Sequence, residues 1–500
     1  MSDTLARPVP GGSAPPRSNA VVAVLAFAGI VVSLMQTLVI PIVPELPKYL
    51  DASPSNAIWA VTATLLAASV ATPVAGRIGD MYGKRRMLLI SVALLVAGSV
   101  VCALSESLVP MIVGRVLQGL AAAVVPLGIS IMRDVLPAER LAGSTALMSA
   151  SLGVGGALGL PAAAFIADNF DWHVLFWVSA ALGVVAGLLI TVLVPESKVR
   201  TGGRFDLVGS LGLAAGLVSL LLAISKGGDW GWGSGTVIGL LVAAVVILVA
   251  WGFYELRTTQ PLVDLRTTAR RQVLFTNLAS IALGFSMFAM SLVLPQLLQL
   301  PELTGYGLGK SMMTVGLVLA PQGLVMMAMA PISANITRTK GPKITLMTGA
   351  LIVAVGYALN IVLMSQVWHL ILVSCIIGAG VGFAYGAMPA LIMGAVPASE
   401  TAAANSLNAL MRSIGTSFAS AIAGVVLAQM TVSFGAVSVP SENAFKTVMA
   451  IGAGAALLSF FLCTFIPRHR PVSAAVAAPA AAGEAGAGEG EAAEVSGARS

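Results

Sequence analysis

Long apolar runs alternate with short polar connectors along nearly the whole chain. Each run is close to the ~20 residues that a helix needs to cross a bilayer. Read for this pattern, the sequence predicts spans at residues 20–43, 57–76, 87–104, 108–132, 141–166 and 174–194. A pair follows at 206–225 and 236–254, then six more at 272–294, 311–334, 344–364, 369–394, 404–429 and 445–466. Residues 1–19, rich in Pro, Gly and Ser, and residues 467–500, an Ala/Gly/Glu tract, have no apolar pattern that could pack and are expected to be disordered tails. The expected fold is an all-α polytopic membrane protein of about fourteen helices. Its domains are a six-helix bundle at 20–196, an inserted helix pair with basic flanks at 197–271, and a second six-helix bundle at 272–466.

The connectors give the orientation. Residues 76–89, GRIGDMYGKRRMLL, form a short loop carrying Arg77, Asp80, Lys84, Arg85 and Arg86 between two apolar runs. Such a cationic loop stays in the cytoplasm. With that side fixed, only Lys48, Lys226, Lys310 and Lys446 of the 27 Lys and Arg fall outside, and Arg115 and Arg412 fall within spans. Both termini are expected inside the cell membrane. Charged residues make up 10% of the chain, against about 25% in soluble globules, and 57% is hydrophobic. The net charge of +6 therefore belongs to the loops, and no aromatic-interleaved basic patch points to nucleic acid. Cys102, Cys375 and Cys463 sit in apolar runs at spacings that match no metal site, and read as free buried thiols.

An internal repeat is visible. Residues 334–347, ANITRTKGPKITLM, overlay 76–89 with Gly341 on Gly83, Lys343 on Arg85 and Arg338 on Asp80. VPASETAAANS after the twelfth span overlays LPAERLAGSTA after the fourth, with Pro397 on Pro137. Repeated halves are characteristic of transporters, whose substrates bind near the midplane between them.

Several residues carry candidate chemistry. Gly76, Gly79 and Gly83 allow two helices to approach and turn tightly. Asp80 can accept hydrogen bonds from a facing helix N-terminus or pair with a cation, so Gly76, Asp80, Gly83 and Arg85 are read as a conformational gate. The alternative is that the loop's basic residues only set topology. Arg115 is a guanidinium inside a span, which marks a functional site by default, and Gln118 shares its helix face. By this placement no span has an acid near its middle. The acids at the edges are Glu45, Asp51, Asp134, Asp168 and Asp206. Glu45, in PELP, is chosen as the partner of Arg115, because both lie towards the outer side and the prolines can tuck the chain inward; a solvated loop glutamate is the competing reading. Gly155 and Gly159 make a small-residue stripe for helix packing. Arg412, with Asn405, Asn408 and Met411, forms a polar cluster that either meets an anionic substrate or pairs with helix-end carbonyls. Phe285, Met287, Phe288 and Met290, with Gln322, Met326 and Met327, suit an adaptable apolar pocket, or are ordinary packing residues. Gln36 in the first span joins this substrate-binding set. Gly378, Gly382 and Gly386 read as plain packing. Gly309-Lys310-Ser311 mimics the end of a phosphate-binding loop, but Thr304 stands where the leading glycine is required. No ATP or other cofactor is expected, no metal cluster stands out, and no nucleophile–base set suggests an enzyme.

GRIGDMYGKRR resembles the loop signature of the major facilitator superfamily, and VGRVLQGLAAA, with Arg115 at the arginine position, resembles its fourth-helix signature. The inserted pair, PLVDL at 261–265 and the LPQLLQ…TGYGLGKSMMTVGLVLAP run are similar to the fourteen-helix drug:proton antiporter family. The resemblance implies two six-helix bundles plus two inserted helices, alternating access with Asp80 in the gate, and proton transfer involving Arg115, to which Gln118 on its face and Glu45 as its chosen partner are added as proton-coupling candidates. It also implies a monomer in the lipid bilayer, driven by the proton motive force and exchanging protons for amphipathic small molecules. The family's first-helix aspartate is replaced here by Met35. SLGVGGALGLPAAAF resembles the family's antiporter signature, with Leu160-Pro161 in place of Gly-Pro. The leading expectation is an exporter of drugs or antibiotics. The competing ones are a carrier of one metabolite, exporting or importing, and a non-transporting sensor or scaffold on the same fold.

Overall fold

The computed structural model describes residues 16–43, 45–434 and 437–467. Most of both expected tails lies outside the described residues. Among these, 14 helices are long and apolar enough to cross a bilayer. They are α1 (Ser18–Thr37), α2 (Trp59–Tyr82), α3 (Lys84–Ala103), α4 (Leu108–Val135), α5 (Ala138–Asn169), α6 (His173–Leu193), α7 (Leu207–Trp230) and α8 (Gly235–Arg257). The second half contains α9 (Arg271–Gln299), α10 (Met312–Lys340), α11 (Pro342–Val362), α12 (Val367–Met393), α13 (Ala398–Gln429) and α14 (Glu442–Thr464). The expected all-α membrane architecture is therefore present.

Local chemistry sets the boundaries. Side chains of Asp206, Ser234, Ser311 and Ser441 accept hydrogen bonds from the first turns of α7, α8, α10 and α14, so those helices start where their orphan N–H groups are satisfied. Gly83 (φ +125°) separates α2 from α3, and Gly341 (φ +91°) separates α10 from α11. Both are conformations that a Cβ would strain, so the repeat keeps glycine there.

The first span ends at Thr37 rather than at residue 43. Pro41 removes an N–H donor, and the chain continues as a 3-10 turn, Ile40–Ile42, and a short helix, Leu46–Tyr49. The 3-10 stretch Leu120–Ala123 interrupts α4 just before Pro126, whose ring crowds the carbonyl four residues back. α10 is likewise interrupted at Met329, two residues before Pro331. One element departs from the all-helical expectation. Strands β1 (Thr431–Phe434) and β2 (Val437–Pro440) pair antiparallel between α13 and α14, with Thr431 opposite Pro440. The alternation of Val with Ser there favours a strand over a helix.

Buried side chains group by half. Leu283, Leu294, Val353, Ile377, Met388 and Phe445 belong to one core built mainly from α9–α14, which Ala146 and Ala150 of α5 join. Leu25, Leu88, Val124 and Met148 belong to another mainly within the first six helices, which Met393 and Ala402 join. The inserted pair adheres through α7: Leu213 and Leu217 pack with Leu262 and Val263 of the following loop, with Leu407 and Leu410 of α13, and with Val70 and Val74 of α2. α7 therefore lies along the line where the two halves meet. The outer face of α8 stays apolar and uncovered at Val242, Val245 and Phe253, as suits a surface in contact with lipid.

Candidate functional site

Three polar sites interrupt this apolar frame. The first joins the halves at the basic end. Asp80, fully buried near the end of α2, accepts hydrogen bonds from the backbone N–H groups of Ala402 (3.2 Å) and Ala403 (2.8 Å) in the first turn of α13. Those donors have no partner within their own helix and lie at the positive end of its dipole, so a carboxylate suits them. Lys84 Nζ is 3.6 Å from Asp80 and 2.6 Å from Asp134, and donates to the Ala398 carbonyl at 3.4 Å. Ser197 donates to Asp134 at 2.5 Å. From α4, Arg133 reaches across to Thr401 Oγ1 (2.6 Å) and the Val396 carbonyl (3.0 Å). A Cβ on Gly76 would lie 2.7 Å from the Ala402 carbonyl and against Ser406, so the helices touch here backbone to backbone.

This seam contains Gly76 and Asp80 from the expected gate, while Gly83 provides the turn beside it. Arg85 corrects the expectation. It turns away and donates to the Thr191 carbonyl near the end of α6, at 2.5 Å, within its own half. Lys343, its counterpart in the repeat, does the same in the second half, donating to the Thr464 and Ile466 carbonyls at the end of α14. The cation that enters the seam is Lys84, four residues after Asp80, together with Arg133; the i,i+4 spacing to Asp80 was the available signal.

The second site surrounds Arg115, which is 1% exposed. Its Nε donates to the Ala60 carbonyl (2.9 Å), and Nη1 donates to Gln118 Oε1 (2.7 Å) and faces Met35 Sδ at 3.6 Å. Gln118 Nε2 then donates to Ser99 Oγ (2.8 Å), which lies 3.1 Å from Ser179 Oγ. Every partner is neutral. Arg115 and Gln118 thus come together as expected, but Glu45 does not join them. Glu45 is exposed at the start of Leu46–Tyr49 and forms no ion pair among the described residues. The buried positions beside it are taken by Ile42 and Leu46, which turn the carboxylate outward.

The third site is a small cavity between the halves, about 10 Å³, room for about one water molecule. Val125, Pro126, Ile129, Ser149 and Leu152 line it from α4 and α5, and Tyr385, Pro389, Asn405, Asn408, Ala409 and Arg412 from α12 and α13. Arg412 Nη1 donates to Asn408 Oδ1 at 3.0 Å, and its guanidinium carbon lies 4.8 Å from the centre of the Tyr385 ring. Asn408 Nδ2 donates to Asn277 Oδ1 (2.9 Å) and Ser280 Oγ (2.8 Å). Of the expected substrate-binding residues, Asn408 and Arg412 line this cavity, and Tyr385 is an addition that the sequence reading missed.

The others lie elsewhere. Gln322 and Met326 press against Gly378 and Gly382 of α12, with the Met326 side chain also against Gly153 of α5. Gln36, Phe285 and Phe288 are partly buried and are not part of the cavity lining. The small-residue stripe packs as expected: Gly155 lies against Ser33 and Ile30 of α1, Gly159 against Thr37, and Pro161 against Gly316 of α10.

Two six-helix cores, a repeated loop chemistry in each, and a cavity lined by both halves describe a polytopic membrane carrier fold. The chain matches the Major Facilitator Superfamily profile over residues 25–420 and 300–489, and belongs to that family. It is 27% identical over 423 residues to an uncharacterised MFS-type transporter of Mycobacterium tuberculosis, covering 82% of this chain and 60% of that longer protein. It is 25% identical over 374 residues to the multidrug transporter protein MdtP of Bacillus subtilis, covering 74% of this chain and 68% of the relative. A putative multidrug resistance protein, MdtD of Pectobacterium carotovorum, is 25% identical over 413 residues, 81% of this chain and 86% of its own. Among solved structures, the human organic anion transporter MFSD10 (TETRAN) superposes with a TM-score of 0.63 at 16% identity, covering 90% of this chain and 100% of that one. The proton:xylose symporter XylE superposes with a TM-score of 0.60 at 16% identity, covering 90% and 96%.

Proposed function

We propose that the protein is a secondary-active exporter of amphipathic small molecules, working by alternating access and proton antiport. It acts as a monomer in the cell membrane, with the basic end and both termini in the cytoplasm. The observation that carries this reading is the Asp80 seam. It fastens the halves at the basic end through hydrogen bonds to a helix terminus and a desolvated ion cluster, contacts that form or break as a unit when the halves rock. The central cavity is the point about which such rocking exchanges access. The names of the Bacillus and Pectobacterium relatives support drugs as the substrate class. Proton antiport is supported by the resemblance to the drug:proton antiporters, with Asp80 and Asp134 the acids that touch the moving seam. Glu45 stays a candidate proton carrier only if a state other than this one brings it to Arg115.

The test is accumulation of a panel of toxic amphipathic compounds in an efflux-deficient host, with and without a protonophore. Expression should lower accumulation of at least one compound, and the protonophore should abolish the effect. If accumulation of every compound is unchanged by expression, the exporter reading is wrong. Efflux that persists in the protonophore would remove proton antiport alone.

A further inference from the structure

Arg412 lies near the middle of α13, the depth at which an uncompensated charge is most unfavourable. Both arginines within spans, Arg115 buried and Arg412 partly exposed, are held by neutral groups, but in different ways. Arg115 is enclosed, with a backbone carbonyl, an amide oxygen and a thioether around it, and is not part of the cavity wall. Arg412 lines the cavity, and its polar side-chain partners among the described residues are Asn408, at 3.0 Å, and Tyr385. A guanidinium has five N–H donors. Tyr385 supports its face, and no described carboxylate lies within ion-pair distance of it.

The groups around Arg412 orient it without neutralising it. Asn408 gives both amide hydrogens to Asn277 and Ser280, which turns its oxygen towards Arg412. Asn405 directs its amide to the Thr401 carbonyl. The positive charge is therefore left for whatever enters the cavity. Facing it across the space are Val125, Pro126, Ile129 and Leu152 of the other half, an apolar wall.

We propose that this cavity, widened when the halves part, binds amphipathic anions, with Arg412 forming a bidentate contact to a carboxylate or sulfonate while the apolar body rests on the α4–α5 wall. This deepens the exporter reading and rests on it for the direction of transport. Guanidinium geometry matches two carboxylate oxygens at once, and a low-dielectric surrounding strengthens the pair. The same field disfavours a cationic amphipath at this position, so the site selects by charge.

The experiment measures binding to the purified full-length protein, in nanodiscs, of naphthylacetate, naphthalenesulfonate, the methyl ester of naphthylacetate, and naphthylethylamine. Wild type should bind the two anions at least about tenfold tighter than the ester or amine. Arg412→Gln should bind all four alike, and Arg412→Lys, which keeps the charge, should retain part of the preference. Thermal unfolding of both variants checks that they remain folded. Equal binding of anions and amine by wild type overturns the proposal, and so does an anion preference that survives in Arg412→Gln. Efflux of the same probes from proteoliposomes is read separately. Anion-selective binding without efflux would remove the exporter reading and leave the anion site standing.

Discussion

Asp80 and Arg412 are both charges set within spans, Asp80 fully buried and Arg412 partly exposed, and the chain compensates them differently. Asp80 receives two backbone N–H groups and a lysine, so its charge is consumed in holding α2 against α13. Replacing it by Asn should remove about 1–3 kcal/mol from the seam, since a charged acceptor is lost and Lys84 keeps only Asp134. Ser406, fully buried against Gly76, reports on this directly. A Ser406→Cys reporter should react with an impermeant maleimide from the basic end about 5–100-fold faster in Asp80→Asn than with Asp80 intact. Equal rates would mean that Asp80 does not hold the seam shut. The sequence alone pointed to Asp80 because an acid in a cationic, glycine-broken loop has few other uses. It pointed to Arg85 and Glu45 less well. Choosing among three consecutive cations depends on helix phase across the Gly83 break, and aiming Glu45 inward required knowing that Ile42 and Leu46 would take that space. Tyr385 escaped notice because one aromatic residue in an apolar span carries no local mark.

At the scale of elements, the inserted pair is held by one helix. α7 packs on the seam, while α8 is secured through α7 and the Leu262–Val263 turn. Beneath that turn two acids meet. Glu255 is 2% exposed, and both it and Asp206 crowd the space that Gly209 leaves open. Asp206 has Tyr254 and the Gly209 N–H as donors, at 3.0 and 2.8 Å. Glu255 makes no close hydrogen bond among the described residues, although the Leu262 and Val263 N–H groups and the Trp251 side chain face it. A desolvated carboxylate so close to another strains the pair. Glu255→Gln keeps the shape and removes the charge, and should stabilise the protein by about 1–3 kcal/mol, read as a rise in thermal unfolding temperature near neutral pH. A fall would show that the Leu262–Val263 turn depends on the Glu255 charge. Helix existence was legible throughout from apolar run length. The interruptions of α4 and α10 were not, because they arise from where prolines fall inside otherwise continuous apolar runs, nor was the β1–β2 pairing, a short Val/Ser alternation within a connector.

At the scale of the whole molecule, the repeat makes a comparison possible that no single site allows. Each half places a helix end against the start of a helix in the other half, α2 against α13 and α10 against α5. Pro137 and Pro397 enter α5 and α13 with nearly the same backbone (φ −64°, ψ 151°; φ −59°, ψ 155°). The two seams nevertheless differ. Where Gly76 has no room for a Cβ, the equivalent contact between Gly143 and Ala334 leaves 3.8 Å. Arg338, standing where the first seam has Asp80, is exposed beside an open cleft with Glu139, Arg140 and Asn335, and among the described residues its hydrogen bond stays within its own helix, to Asn335 at 3.2 Å. An arginine finds no favourable dipole at a helix N-terminus, so the second seam has no counterpart of the first latch. The spacing offers a way to impose one. A Cβ···Cβ separation of about 3.8 Å is typical of a disulfide, so the double variant Gly143→Cys/Ala334→Cys should oxidise readily between α5 and α10. The native Cys102, Cys375 and Cys463 are buried or half-buried within their helices and do not compete. Oxidation should arrest efflux and reductant should restore it, with each single variant unaffected. If the crosslinked protein transports at the wild-type rate, the halves do not part at the basic end during the cycle, and alternating access about the central cavity fails with that result.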